Sequence, residues 1–124
     1  MKILIAGDSF ATKSSTLPVS WMELLAAKYN VTNLAQAGIS EYKILRQLRS
    51  VNLNDFDQVI VCHTSPSRIH TNNHPLHKSG LHKDCDLIYS DVKEHDSDPI
   101  AKIAVDFYEN LFDVEYFIFS YNLI

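Results

Sequence analysis

Glycine, cysteine and long apolar runs are all scarce in this chain, and each scarcity excludes something. Only Gly7, Gly38 and Gly80 occur among 124 residues, where average usage would supply roughly nine. Neither a G-x-G-x-x-G turn nor a G-x-x-x-x-G-K-[ST] loop is present, which removes the two glycine-built phosphate cradles. Cys62 and Cys85 lie too far apart for a metal knuckle or a C-x-x-C redox pair. No apolar run approaches the ~18 residues of a membrane span. The N-terminal apolar run meets Gly7 and Asp8 before a signal peptide's hydrophobic region could form. A soluble, cytoplasmic protein without membrane contact is the expectation. Positive charge is short as well, with 11 Lys and Arg against 15 Asp and Glu, so no basic excess is available for a nucleic-acid partner. The acidity is concentrated in the second half: residues 1–62 carry about +1 and residues 63–124 about −5.

What is present reads as a single domain over 1–124. Hydrophobic residues make up 46% and charged residues 21%, ordinary globular values. Residues 2–6 form a short apolar run of the kind that builds a buried parallel strand. Thr16 and Pro18 suggest a helix start, with Trp21, Leu24, Leu25 and Tyr29 following at helical spacing. A second strand is expected over Val31–Ala35. Ser40 then caps a helix carrying Ile44, Leu45, Leu48 and Val51 on one face. A third strand is expected over Gln58–Cys62. The order β-α-β-α-β implies a parallel sheet covered by helices. Residues 63–98 break the rhythm, holding all six histidines and little periodicity, and so long a connection is usually functional or mobile. Asp98-Pro99 starts another helix, with Ile100, Ile103, Ala104, Phe107 and Leu111 as its apolar stripe. The aromatic segment 115–124 fits a strand or a continued helix, packed as core or interface.

Two of the three glycines follow directly on expected strands, and ligands of open α/β sheets bind outside the strands' carboxyl ends. There Gly7-Asp8-Ser9-Phe10 places a serine in a tight turn, its hydroxyl and its own N–H facing one cavity, and Gly38 adds a second N–H. A nucleophile with two converging donors is what acyl transfer requires.

Gly7-Asp8-Ser9-Phe10 resembles the first signature block of the SGNH hydrolases, the GDSL esterase/lipase family, and Asn33-Leu34-Ala35-Gln36-Ala37-Gly38-Ile39-Ser40 resembles the second. The likeness spans residues 1–66. It implies a flavodoxin-like three-layer α/β/α sandwich with a mainly parallel sheet in the order 2-1-3. It also implies hydrolysis of a small-molecule ester through a Ser9 acyl-enzyme, without a cofactor. Ser9 and Gly38 become oxyanion donors, and Asp8 and Phe10 the substrate-binding candidates beside the nucleophile. The sequence departs from the family twice. His63-Thr64-Ser65-Pro66 stands where a Gly-x-Asn-Asp block is usual, so Ser65 takes the place of the third oxyanion donor. No histidine follows Pro99, so the family's Asp-x-x-His block is missing. The chain therefore reads as C-terminally truncated, with a homodimer as the remedy for missing strands, and as a feeble or inactive hydrolase. His63, at the end of the third strand, is the candidate base; Asp86 or Asp91 could orient a histidine such as His95.

Three other readings compete. The first is a small-molecule binding module that kept the pocket and lost the base. The second is a flavodoxin-like cradle for a phosphate or flavin, built from Ser9–Thr16 with Lys13. The third is a metal held by His70, His74 and His77, whose spacing would share a helical face; Pro75 and Asn72-Asn73 argue against a helix there, and no metal is expected.

Overall fold

The computed structural model describes residues 1–13, 18–80, 82–95, 97–116 and 118. Two compact units divide the chain, 1–64 and 65–124.

The first unit is an α/β sandwich. Strands β1 (Lys2–Gly7), β2 (Asn30–Asn33) and β3 (Gln58–Cys62) form one parallel sheet in the order β2-β1-β3. Helix α1 (Trp21–Ala26) joins β1 to β2, and α2 (Glu41–Arg49) joins β2 to β3. The central strand is buried on both faces from Ile3 to Ala6, which is why it reads as a continuous apolar run rather than an alternating one. Ile3 and Ile5 point to one face and pack with Val31, Ile60 and, from α1, Met22 and Leu25. Ala6 points to the other, where Val61 meets Ile39, Ile44 and Leu48 at α2. The helices thus cover opposite faces, giving the three-layer flavodoxin-like arrangement. Fully burying side chains such as Leu4 and Ile5 contributes ~1.5–3 kcal/mol each.

The expected strand β3 is observed residue for residue, while β2 starts and ends earlier than Val31–Ala35. Helix α1 starts at Ser20, not at Pro18; Thr16 lies outside the described residues. The Glu23 carboxylate accepts the Ser20 N–H at 2.9 Å and its hydroxyl at 3.0 Å. Those two bonds hold its pKa below the ordinary glutamate value and make Ser20 the stronger stop on the incoming chain. The half-buried Met22 and Leu25 are the positions of α1 that pack on the sheet, while Leu24 is exposed.

The second unit has its own small core. Helix α3 (Tyr89–Glu94), unexpected from the sequence, packs on α4 (Pro99–Asn110). Leu87, Val92, Ala101 and Ala104 are buried there against Ile69, Leu76, Tyr89, Val105 and Tyr108. Ile69 and Leu87 pair as an antiparallel bridge, and the Tyr108 hydroxyl donates to the Ser67 carbonyl. The expected stripe of α4 is corrected: Ala104 is buried, but Ile100, Ile103 and Leu111 are exposed. Two alanines on the inward face let α4 approach α3 closely with Val105 and Tyr108 beside them, while Ile100, Ile103 and Leu111 turn outward. Residues 115, 116 and 118 are helical, as the continued-helix alternative had it; 117 and 119–124 lie outside the described residues. Among the described residues, no helix is long and apolar enough to cross a membrane.

Candidate active site at the carboxyl edge of the sheet

The carboxyl ends of all three strands are tied together by side chains. Gly7, the last residue of β1, donates its N–H to Gln47 Oε1 at 2.9 Å, and Gln47 Nε2 returns to the Gly7 carbonyl at 3.4 Å. A Cβ on Gly7 would meet Cys62 Cβ at 2.6 Å and the Cys62 carbonyl at 2.9 Å. Glycine is needed here for close approach to β3, whereas Gly38 is needed for its positive φ of 74°.

The next residue, Asp8, is fully buried. Its Oδ1 accepts the Phe10 N–H at 3.0 Å, and its Oδ2 accepts the Thr64 hydroxyl at 2.7 Å. The carboxylate thereby caps the short 3-10 turn Ser9–Ala11 and fastens it to the segment after β3. Asp8, singled out beside the nucleophile, thus spends both oxygens on the loop itself. Burial, and then the negative charge of Asp8, push the Cys62 thiol above its ordinary pKa.

Ser9 emerges exposed from this turn, and Phe10 beside it is 77% exposed. The Phe10 carbonyl accepts the Trp21 indole N–H at 2.8 Å. The loop after β2 lies along the same edge. Leu34 and Gln36 donate their N–H groups to the carbonyls of Ile5 and Gly7, and Asn33 Nδ2 donates to the Ala11 carbonyl at 2.7 Å. Among the described residues, neither the Ser9 nor the Gly38 N–H has a protein acceptor, and the Ser9 hydroxyl makes no hydrogen bond.

His63 follows directly on β3. Its Nδ1 lies 3.0 Å from Glu41 Oε2, while Glu41 Oε1 accepts the Thr64 N–H at 2.6 Å. A carboxylate only accepts, so Nδ1 carries the ring proton and Nε2 keeps its lone pair. Glu41 is the residue that sequence reasoning missed. Its position directly after the Ser40 cap of α2 was the available signal, since a first-turn acid at this edge faces the strand ends.

The remaining candidates fall in the second unit. Ser65 is exposed, its hydroxyl 2.8 Å from that of Ser67. His70 Nδ1 lies 3.2 Å from Asp86 Oδ1. His74 and His77 come together at Asp91 instead, so the trio weighed for a metal is not assembled as such. His95 bonds the Asp91 carbonyl through Nδ1 at 2.8 Å. Lys13 pairs with Glu23 at 3.5 Å, and residues 14–16 of the phosphate-cradle reading lie outside the described residues. Comparison with protein-family models, with curated proteins and with solved structures finds no match to this chain.

Proposed function

We propose that residues 1–64 carry a serine esterase site of the SGNH type, acting on a small carboxylic ester in the cytoplasm. The observation that carries this reading is the exposed Ser9 on a turn capped by buried Asp8, its N–H and that of Gly38 both without protein acceptors. In the reaction, Ser9 Oγ attacks the ester carbonyl as its proton passes to His63 Nε2. The carbonyl oxygen takes the negative charge and the two N–H groups bind it. The alkoxide leaves with the proton held by His63, and a water deprotonated by the same nitrogen then releases the acid from Ser9. Glu41 is the positioning residue, fixing the tautomer that leaves Nε2 basic.

The test is hydrolysis of p-nitrophenyl acetate, together with covalent labelling by a fluorophosphonate. Slow turnover is expected, abolished by Ser9→Ala and lowered by roughly 10²–10⁴ in His63→Ala, the usual weight of a general base. Glu41→Gln should lower it less and move its pH profile. Absence of both turnover and labelling above the Ser9→Ala background would leave the alternative, a small-molecule binding module at the same sheet edge. Turnover lost in Ser9→Ala but kept in His63→Ala would reassign the base.

A further inference from the structure

In the segment between β3 and α4, His74 and His77 meet one carboxylate, that of Asp91. His74 is 2% exposed, and its Nε2 lies 3.4 Å from Asp91 Oδ2. That nitrogen is out of hydrogen-bond alignment and has no hydrogen-bond partner among the described residues. His77 Nε2 stands 3.0 Å and 3.1 Å from the two Asp91 oxygens, with its ring 4.6 Å from that of His74. One donor atom from each of the three lies within 4.8 Å of the others. Ligands at ~2.0–2.1 Å from a tetrahedral zinc stand about 3.3–3.4 Å apart from one another, and the 3.0–3.4 Å separations here are close to that spacing. A buried nitrogen aimed at a carboxylate it does not bond is an arrangement that asks for an explanation, and a shared cation supplies one.

We propose that His74 Nε2, His77 Nε2 and Asp91 form a binding site for one zinc-class divalent cation. Two imidazoles and one carboxylate suit zinc and its neighbours rather than calcium or magnesium, which favour all-oxygen shells. Three protein ligands leave the fourth position to water. His95 lies beside the group, its Nδ1 donating to the Asp91 carbonyl and its ring 5.6 Å from that of His77. Asp86 adds negative charge near His74, while Lys78, whose Nζ donates to the His74 carbonyl at 3.2 Å, opposes the cation.

Uptake moves a proton within the ring. His74 Nδ1 accepts the N–H groups of Leu76 at 3.2 Å and His77 at 3.0 Å, which puts the proton of the neutral ring on Nε2 in the cation-free chain. Ligation through Nε2 transfers that proton to Nδ1 and opens both amide contacts. Binding is therefore coupled to a rearrangement of residues 74–77.

The experiment titrates the metal-free 124-residue chain with Zn²⁺ by calorimetry, and with Co²⁺ for the visible bands of a tetrahedral site. One saturable ion per chain is expected. His77→Ala and Asp91→Asn should each weaken it by about 100-fold or more, whereas His70→Gln should leave it unchanged. The Leu76 and His77 amide resonances should shift on uptake and lose protection against exchange. His74 is buried, so His74→Ala could unfold the unit; the two partly exposed variants, checked by circular dichroism, decide the matter. Uptake that is weak and multiple, or that survives both His77→Ala and Asp91→Asn, would overturn the proposal. So would uptake that leaves the two amides unmoved.

Discussion

At the scale of single residues, the carboxyl edge of the sheet depends on what Gly7 lacks. Its missing Cβ would fall 2.6 Å from Cys62 Cβ, closer than real Cβ atoms come, and a tight 3.3 Å from Ala11 Cβ. One of those neighbours is the end of a strand and the other the end of the turn that presents Ser9, so neither can retreat without moving the site. Gly7→Ala should destabilise the chain by about 1–3 kcal/mol, the usual cost of overpacking. The measurement is a fall in the urea midpoint with an unchanged slope. An unchanged midpoint would mean that β1 and β3 can separate freely at this edge. In the sequence Gly7 stands out only for its place at the end of a strand; the packing partner, 55 positions along the chain, shows why glycine is required.

At the scale of elements, caps decided where local reasoning held. Asp98 was legible as a helix start because Pro99 follows it, and its carboxylate accepts the N–H groups of Ile100 at 2.8 Å and Ala101 at 3.3 Å. Asp98→Ala should cost about 1 kcal/mol, read as a lowered thermal midpoint, while Asp98→Asn should cost only a fraction of that. Equal losses in both would show that the charge at the helix start, and not the hydrogen bonds, does the stabilising. The first helix was placed too early because Pro18 is a good first-turn residue in isolation. The reciprocal Ser20–Glu23 bonds outweigh it. Helix α3 was not legible at all. It has six residues, too few for a periodic signal, and its Asp91 draws His74 and His77 together from 17 and 14 positions away. The histidine cluster is visible in composition and Asp91 is legible as a carboxylate that could orient a histidine, but its pairing with His74 and His77 is not.

At the scale of the whole molecule, the parallel sheet could be read from three apolar runs and the helices between them, while the strand order 2-1-3 came only with the resemblance of Gly7-Asp8-Ser9-Phe10 and its partner block to the SGNH hydrolases. The partition into two compact units falls where the charge turns acidic and the histidines begin, but that change reads equally as a long connection inside one domain, so the second core was not legible. The second unit also reverses the ordinary logic of an amphipathic helix. On α4 the small Ala101 and Ala104 face the core, while Ile103 is 69% and Leu111 74% exposed. Ile100, Ile103 and Leu111 lie at helical spacings of three and eight, so they line one outward stripe of a helix whose inner face is already filled. Contiguous exposed apolar surface of this kind marks an interaction face, and a second copy of the chain is the partner expected for it. Sedimentation velocity at rising concentration should show a dimer. Ile103→Glu should return it to a monomer while leaving the helical circular dichroism intact, because the substituted residue touches no part of the unit's core. A monomer at every concentration would sink the idea. A dimer indifferent to Ile103→Glu would place the contact elsewhere, the next surface to probe being the outer edges of β2 and β3, which pair with no further strand among the described residues.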